Sequence, residues 1–242
     1  MTVTFQRRLI VDASSLKPAD RSGWEAAVMY NLGEIARSNT GLCVLHELHC
    51  HARFVRVVPY PSTDKNAGAL PTSFANAEYP AHPVRYGDGS KAVPAQVSTG
   101  LGSDVILQYT PWRFTSRQHH AATLLHELQH ASEDVAGKLF ANPLGWSFDT
   151  VAEFDAILVE NMYRSEKGYP IRRSHRNLTD VLKTDRMVPD AGYVRLLRSF
   201  RDRMPRLVQQ LGDVDVPFNP FRKGAAGYAG VQGDVPGSTR WA

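Results

Sequence analysis

Residues 123–131 read TLLHELQHA, and the spacing of His126, Glu127 and His130 within them constrains the fold more than any other part of the chain. On an α-helix, positions four apart differ by about 40° in azimuth, so the two imidazoles share one side and can bind one metal ion. Glu127 lies about 100° round from His126, within reach of a water on that ion without being a ligand itself. The surrounding pattern supports the helix. Over residues 116–139, Ala121, Leu124, Leu125, Leu128, Ala131, Val135 and Leu139 fall on one broad arc and the two histidines on the other side. Thr115 or Ser116 can cap its start, and Pro143 and Gly145 mark where the helical pattern stops.

An incomplete copy of the pattern occurs earlier. Residues 43–51, CVLHELHCH, begin in the same way at His46 and Glu47, but Cys50 stands where the second histidine is needed. His49 and His51 are out of step with His46 for a shared helical face, and a strand-like run follows at 52–58. The expectation here is a helix end entering a strand, not a second metal site.

A length of 242 residues suits one domain with a sizeable core. Two cysteines, Cys43 and Cys50, do not make a disulfide framework, and nothing requires an oxidising compartment. The first twenty residues lack the apolar core and cleavage site of a secretory signal, and no stretch approaches the length of a membrane span. The chain is therefore expected to be soluble and to use another route if it leaves its producing cell. Its net charge of +4 is uneven, with twelve Lys or Arg against five Asp or Glu over residues 164–206. Residues 193–207 read as a basic amphipathic helix interrupted by Pro205. Sparse aromatic interleaving argues against nucleic acid and favours a solvated basic face.

Strands are expected at residues 8–13, 53–58 and 104–109. A helix is expected at 23–38, with Ser22 and Glu25 as a capping box and Gly41 just past its end. Residues 60–104, rich in Pro, Gly and polar residues, read as a loop-rich insertion holding at most a short hairpin. The strand at 104–109 precedes the zinc-motif helix by only a brief turn, so a sheet edge could lie beside the metal and pair with an extended peptide. A second strong helix follows at 150–166, capped by Asp149 or Ser147. Its apolar side is Val151, Phe154, Leu158 and Met162, while Glu153, Ile157, Glu160 and Arg164 gather on another. From Asp213 the composition turns to Gly, Pro and polar residues. A single domain over 1–212 with an extended or disordered tail over 213–242 is the expectation, with Phe218, Phe221 and Trp241 as docking points.

A catalytic zinc site needs three protein ligands and one open position. The metzincin continuation is absent, because Glu133 stands where glycine belongs and Ala136 where a third histidine would be. That leaves a carboxylate on the second helix. Glu153 is favoured; Glu160 is the alternative, although it can pair with Arg164 at i, i+4. Zinc held by His126, His130 and Glu153 would activate water, with Glu127 as general base. Tyr163, Tyr169, His120 and His175 are unranked candidates for stabilising an oxyanion.

The order of these segments resembles the NleD-type zinc metalloprotease effectors of pathogenic bacteria. The likeness covers residues 23–175: SNTGLCVLHEL, a strand with PYP, VILQYTP, TLLHELQHA and AEFDAILVENMYRSEKGYPIRRSH. Its most specific parts are the zinc motif and the E-x-x-x-x-x-x-E-N-x-Y-R stretch from Glu153 to Arg164. The resemblance implies an α+β, compact zincin-like fold in which a small sheet packs against the zinc-motif helix and a second, ligand-bearing helix. It also implies delivery into a target cell by a signal-peptide-independent route, and cleavage of a protein or peptide there. His126 and His130 carry over as ligands, Glu127 as the base and Glu153 as the third ligand. The rival expectations are a binding module that keeps the scaffold and engages a partner through its basic segment, and a zinc amidase acting on cell-wall peptide.

Overall fold

Apolar residues alternate along three strands and give a sheet one covered face. The computed structural model describes residues 2–5, 7–60, 67–71, 102–112, 117–140, 144, 148–174 and 191–222. Five strands lie in the order β1 (Thr2–Phe5), β2 (Leu9–Asp12), β3 (Val55–Pro59), β5 (Val105–Tyr109) and β4 (Ala67–Pro71). The central β2, β3 and β5 run parallel, while β1 and β4 pair antiparallel at the two edges. Leu9, Val11, Val55, Val57, Val105, Leu107 and Tyr109 face the core and are at most 3% exposed, whereas Arg56 and Ile106 project from the open face. That is the period-2 pattern of a sheet covered on one side. The region 60–104, expected to hold a hairpin, contributes β4, which pairs across to β5. The rest of that insertion lies outside the described residues.

Helix α1 (Pro18–Ala36) begins earlier than the expected capping box at Ser22 and Glu25. Pro18 occupies the first turn, where its fixed φ suits the helix and its missing N–H has no partner to lose, so Ser22 is interior. Nor does Gly41 end this helix; Ser38 separates α1 from α2 (Asn39–His49), and its hydroxyl accepts from the Gly41 amide at 2.9 Å. Gly41 is needed for close approach, since a Cβ there would overlap the Ile35 carbonyl oxygen and the Ser38 hydroxyl. At the other end α2 runs to His49 and the chain enters β3, as the sequence suggests.

The zinc-motif helix α3 (Arg117–Ala136) stops short of the expected residue 139, because Gly137 takes φ 69°. Its amide bonds to Asp134 O and that of Lys138 to Glu133 O, a left-handed cap that closes the helix three residues early. Gly168 closes α4 (Val151–Glu166) in the same way. The start of α4 is capped by Thr150, whose hydroxyl accepts from the Glu153 amide at 3.2 Å, and not by Asp149. Ser147, Thr115, Ser116, Pro143 and Gly145 lie outside the described residues. Helix α4 is buried on nearly every side and packs along α3. Glu166 at its C-terminal end accepts from the Asn39 and Thr40 amides at 2.6 and 3.0 Å, placing a negative charge on the N-terminus of α2.

Two helices complete the core, α5 (Ala191–Arg203) and α6 (Pro205–Gly212), and the break between them falls at Pro205. The expected tail is partly core. Val214, Val216, Phe218 and Phe221 are buried, the Phe218 amide donates to Ser165 Oγ at 2.9 Å, and Asn219 donates to the Leu211 and Val214 carbonyls. The packed unit therefore extends to at least residue 222. Trp241 lies outside the described residues.

Gly41→Ala is expected to lower stability by about 2–3 kcal/mol through overpacking, as read by denaturant unfolding. Gly23→Ala, in the same pair of helices with open space around the added carbon, is expected to raise it by about 0.5–1 kcal/mol. Equal effects would contradict the close approach of α1 and α2.

Candidate metal centre

Two turns of α3 and the first turn of α4 bring three donors to one point. His126 Nε2 is 3.2 Å from His130 Nε2, Glu153 Oε2 is 3.1 Å from His126 Nε2, and it is 3.4 Å from His130 Nε2. The Thr150 cap sets where α4 starts and hence where Glu153 stands. Among the described residues, this is the group of His, Cys, Asp or Glu side chains that could hold a metal ion. The separations fit. Ligand atoms about 2.0–2.1 Å from a tetrahedral ion stand about 3.3–3.4 Å from one another. Both histidines are buried, while Glu153 is partly exposed, leaving the group a route to solvent. Glu127, the residue after His126, is half-buried, and its charge bears on both imidazoles.

Glu160 takes a different place from the one the alternative assignment gives it. Its Oε2 lies 3.2 Å from His126 Nδ1, on the side of the ring away from Glu153. Arg172 donates to the same oxygen at 2.6 Å, and Arg164 reaches Oε1 at 3.4 Å, so the i, i+4 pairing with Arg164 forms as expected. A carboxylate on the second ring nitrogen of a ligand histidine fixes the tautomer and raises the basicity of the first. His119, two turns before His126 on the same face of α3, extends this polar layer through Arg164 Nη1 at 3.4 Å. Sequence reasoning missed both His119 and Arg172. The seven-residue offset from His126 signals the first, whereas nothing local marks the second.

The electrostatics follow from this packing. Burial opposes a charge on His126, but Glu153 and Glu160, each with an oxygen close to one ring nitrogen, outweigh it and raise the imidazole to about 10. Burial likewise opposes ionisation of Glu153, yet His130 and His126 hold its carboxyl well below the ordinary range. For Glu160, the charge of Arg172 and the bond to His126 overcome burial and bring it to about 2. Two imidazole nitrogens and a carboxylate oxygen this close require a cation between them, either a proton or a metal ion.

Behind His130 lies a second buried layer. Glu133 on α3 and Asp155 on α4 are both fully buried, and Arg203 from α5 enters between them, bonding Asp155 and the Lys138 carbonyl and lying 3.8 Å from Glu133. Burial pushes both above the carboxylate range and Asp155 adds to the rise at Glu133, while Arg203 offsets it only in part, so the pair keeps a proton. The basic segment is thus not simply a solvated face. Arg203 is a core cation, and Arg206 donates twice to buried Glu47, at 2.8 and 2.9 Å. The look-alike at His46 and Glu47 is structural on the same evidence: Glu47 also contacts His51, and His46 contacts Gln210, joining α2 to α6.

Of the oxyanion candidates, Tyr163 is buried with Lys167 over its ring, and its phenol is raised by burial and then by Tyr169, Glu34 and Glu166. His120 is half-buried, and its carbonyl accepts from the Tyr109 hydroxyl, which in turn accepts from Asn31. Tyr169 follows the turn after α4, its amide bonded to the Arg164 carbonyl. His175 lies outside the described residues.

Compared with protein-family models, with curated proteins and with solved structures, the chain matches none. The geometry of the site carries the functional inference by itself.

For chelator-treated protein the sign of the pH dependence is set. The His126 imidazole, raised from about 6.5 to about 10 in the fold, stabilises in full below about pH 6.5 and loses that contribution as pH rises through 10. Buried Asp134, raised from 3.8 to about 7 by burial, acts in the same direction over a lower window, from about pH 4 to 7. The melting midpoint of metal-free protein is expected to fall steadily between pH 6.5 and 10, and zinc added at pH 7 is expected to release protons into a weak buffer. A flat profile with no proton release would contradict the placement of His126 between two carboxylates.

Proposed function

We propose that the protein is a zinc-dependent endopeptidase of the NleD type, with a zincin-like fold, acting on a protein or peptide in a target cell that it reaches by a signal-peptide-independent route. One observation carries the proposal: His126, His130 and Glu153 converge within 3.4 Å, with Glu127 beside them on the same helix. His126, His130 and Glu153 would hold the ion. When bound, zinc supplies a Lewis acid and lowers the pKa of water towards about 7. Glu127 is the general base, taking the proton of the attacking water on its carboxylate and passing it to the leaving amine. Glu160 holds the proton on His126 Nδ1, which leaves Nε2 free to ligate.

The sheet supports an extended peptide as substrate. The strand before α3, β5, is interior to the sheet and not its edge, with β3 on one side and β4 on the other; among the described residues β4 is the edge strand, antiparallel to β5, and it packs against α3. A peptide that adds alongside such an edge is held by main-chain hydrogen bonds in an extended form, beside the helix that carries Glu127. No helix of the described residues is long and apolar enough to cross a membrane. The burial of Arg203 and Arg206 partners weakens the rival reading of the basic segment as a partner-binding face.

About one zinc per chain is expected, with proteolysis of target-cell lysate lost on chelation. Glu127→Gln is expected to keep its zinc and lose about 10²–10⁴-fold in turnover. Undiminished cleavage by that variant, scored as new peptide termini, would sink the assignment. Glu153→Ala is expected to lose the metal; full occupancy would return attention to Glu160.

A further inference from the structure

Glu160, Asn161 and Arg164, from the E-N-x-Y-R end of the stretch beginning at Glu153, are not ligands in the zinc reading, yet the fold gathers all three against residues 169–172. Asn161 clamps the main chain of Arg172, accepting from its amide at 2.7 Å and donating to its carbonyl at 2.8 Å. Arg164 donates to the Pro170 carbonyl at 2.6 Å, and the Tyr169 amide returns to the Arg164 carbonyl at 2.7 Å. The segment leaving α4 is therefore stitched back onto the helix at four points. Its product is one placement: the buried Arg172 guanidinium lies 2.6 Å from Glu160 Oε2, the oxygen that faces His126 Nδ1 at 3.2 Å.

We propose that Arg172 is a positioning residue for the metal centre, acting through Glu160 on His126; this rests on the zinc reading above. Glutamate has three rotatable bonds and, buried beside an imidazole, has no reason to hold one orientation. Arg172 on Oε2 and Arg164 on Oε1 remove that freedom. The same Oε2 stands 3.2 Å from His126 Nδ1, at ion-pair distance. The proton stays there and the Nε2 lone pair points at His130 and Glu153. Arginine suits the position because a rigid, permanently charged fork can satisfy a carboxylate without competing for the imidazole proton. Asn161 contributes indirectly, by fixing the main chain from which Arg172 projects.

The test uses the full chain and zinc alone, with affinity read by competition against a chromophoric chelator. Arg172→Met and Glu160→Gln are each expected to weaken zinc binding by about 10–100-fold. The double variant is expected to be no weaker than the worse single one, because the two act in series. Arg172→Lys, which keeps the charge, is expected to recover most of the loss. Nitrogen-15 spectra of the histidine rings in the zinc-loaded protein are expected to show the Nδ1–H form of His126 in wild type and its loss of definition in Arg172→Met. Wild-type affinity in Arg172→Met, or additive losses in the double variant, would overturn the proposal. Should Arg172→Met fail to fold, an Arg172→Lys chain that binds as weakly as Glu160→Gln would also overturn it. A wild-type chain that binds no zinc would overturn the metal reading first and this inference with it, so the two failures are distinguishable.

Discussion

Helices α3 and α4 bury charged side chains against each other, and most of the remaining chain is placed so that those charges are compensated. Glu133, Asp134, Asp155 and Glu160 are each at most 1% exposed, and His126 joins them at 4%. Removing an unpaired ion from water costs several kcal/mol even after relaxation, so an interface of this kind cannot persist on apolar packing alone. Compensation arrives from outside the helix pair. Arg172 comes from the segment after α4, Arg203 from α5, and a shared proton stays on the Glu133 and Asp155 pair. The sheet below supplies an apolar floor and contributes none of these cations.

The two polar layers differ in purpose. One opens through part-exposed Glu153 and keeps two imidazole nitrogens and a carboxylate oxygen facing one point, an arrangement that a divalent ion completes. The other is closed, with Arg203 on Asp155 and near Glu133, and Gln129 donating to Glu133. Sequestering the second layer keeps stray carboxylates away from the first. A metal site needs a defined number of ligands, and surplus ones compete with substrate for the open position.

Local signals were legible in the sequence and long-range ones were not. The H-E-x-x-H helix, the strands at β2, β3 and β5, the helix carrying Glu153, and the break at Pro205 follow from periodicity and from proline's missing donor. Of the two carboxylates weighed, Glu153 is the one that reaches the Nε2 atoms of both His126 and His130, while Glu160 pairs with Arg164 and Arg172. Helix ends were harder. Pro18, Thr150 and Gly137 won over Ser22, Asp149 and the later Pro–Gly stretch, since several residues near each end were competent caps and packing decided among them. The solvated face expected for residues 193–207 does not hold at Arg203 and Arg206, because nothing near them in the chain shows that Asp155 and Glu47 are buried. The polar composition after Asp213 likewise concealed Val214 and Val216, which join the expected docking residues Phe218 and Phe221 in closing the core.

The bond from the Phe218 amide to Ser165 spans 53 residues, that of Arg203 to Asp155 spans 48, and that of Arg206 to Glu47 spans 159. Contacts so distant in sequence close large loops and form late, because chain entropy must be spent before any of them contributes. As the polypeptide emerges from the ribosome, the H-E-x-x-H helix and its partner are complete well before Arg203 has been synthesised. Until then Glu133 and Asp155 face each other without a cation, and α4 lacks the cover of residues 213–222. The centre thus belongs to the finished polypeptide and not to the segment that bears its motif, so a chain ending after α4 would contain His126, His130 and Glu153 and still lack Arg172 and Arg203, the cations that meet the buried carboxylates around them.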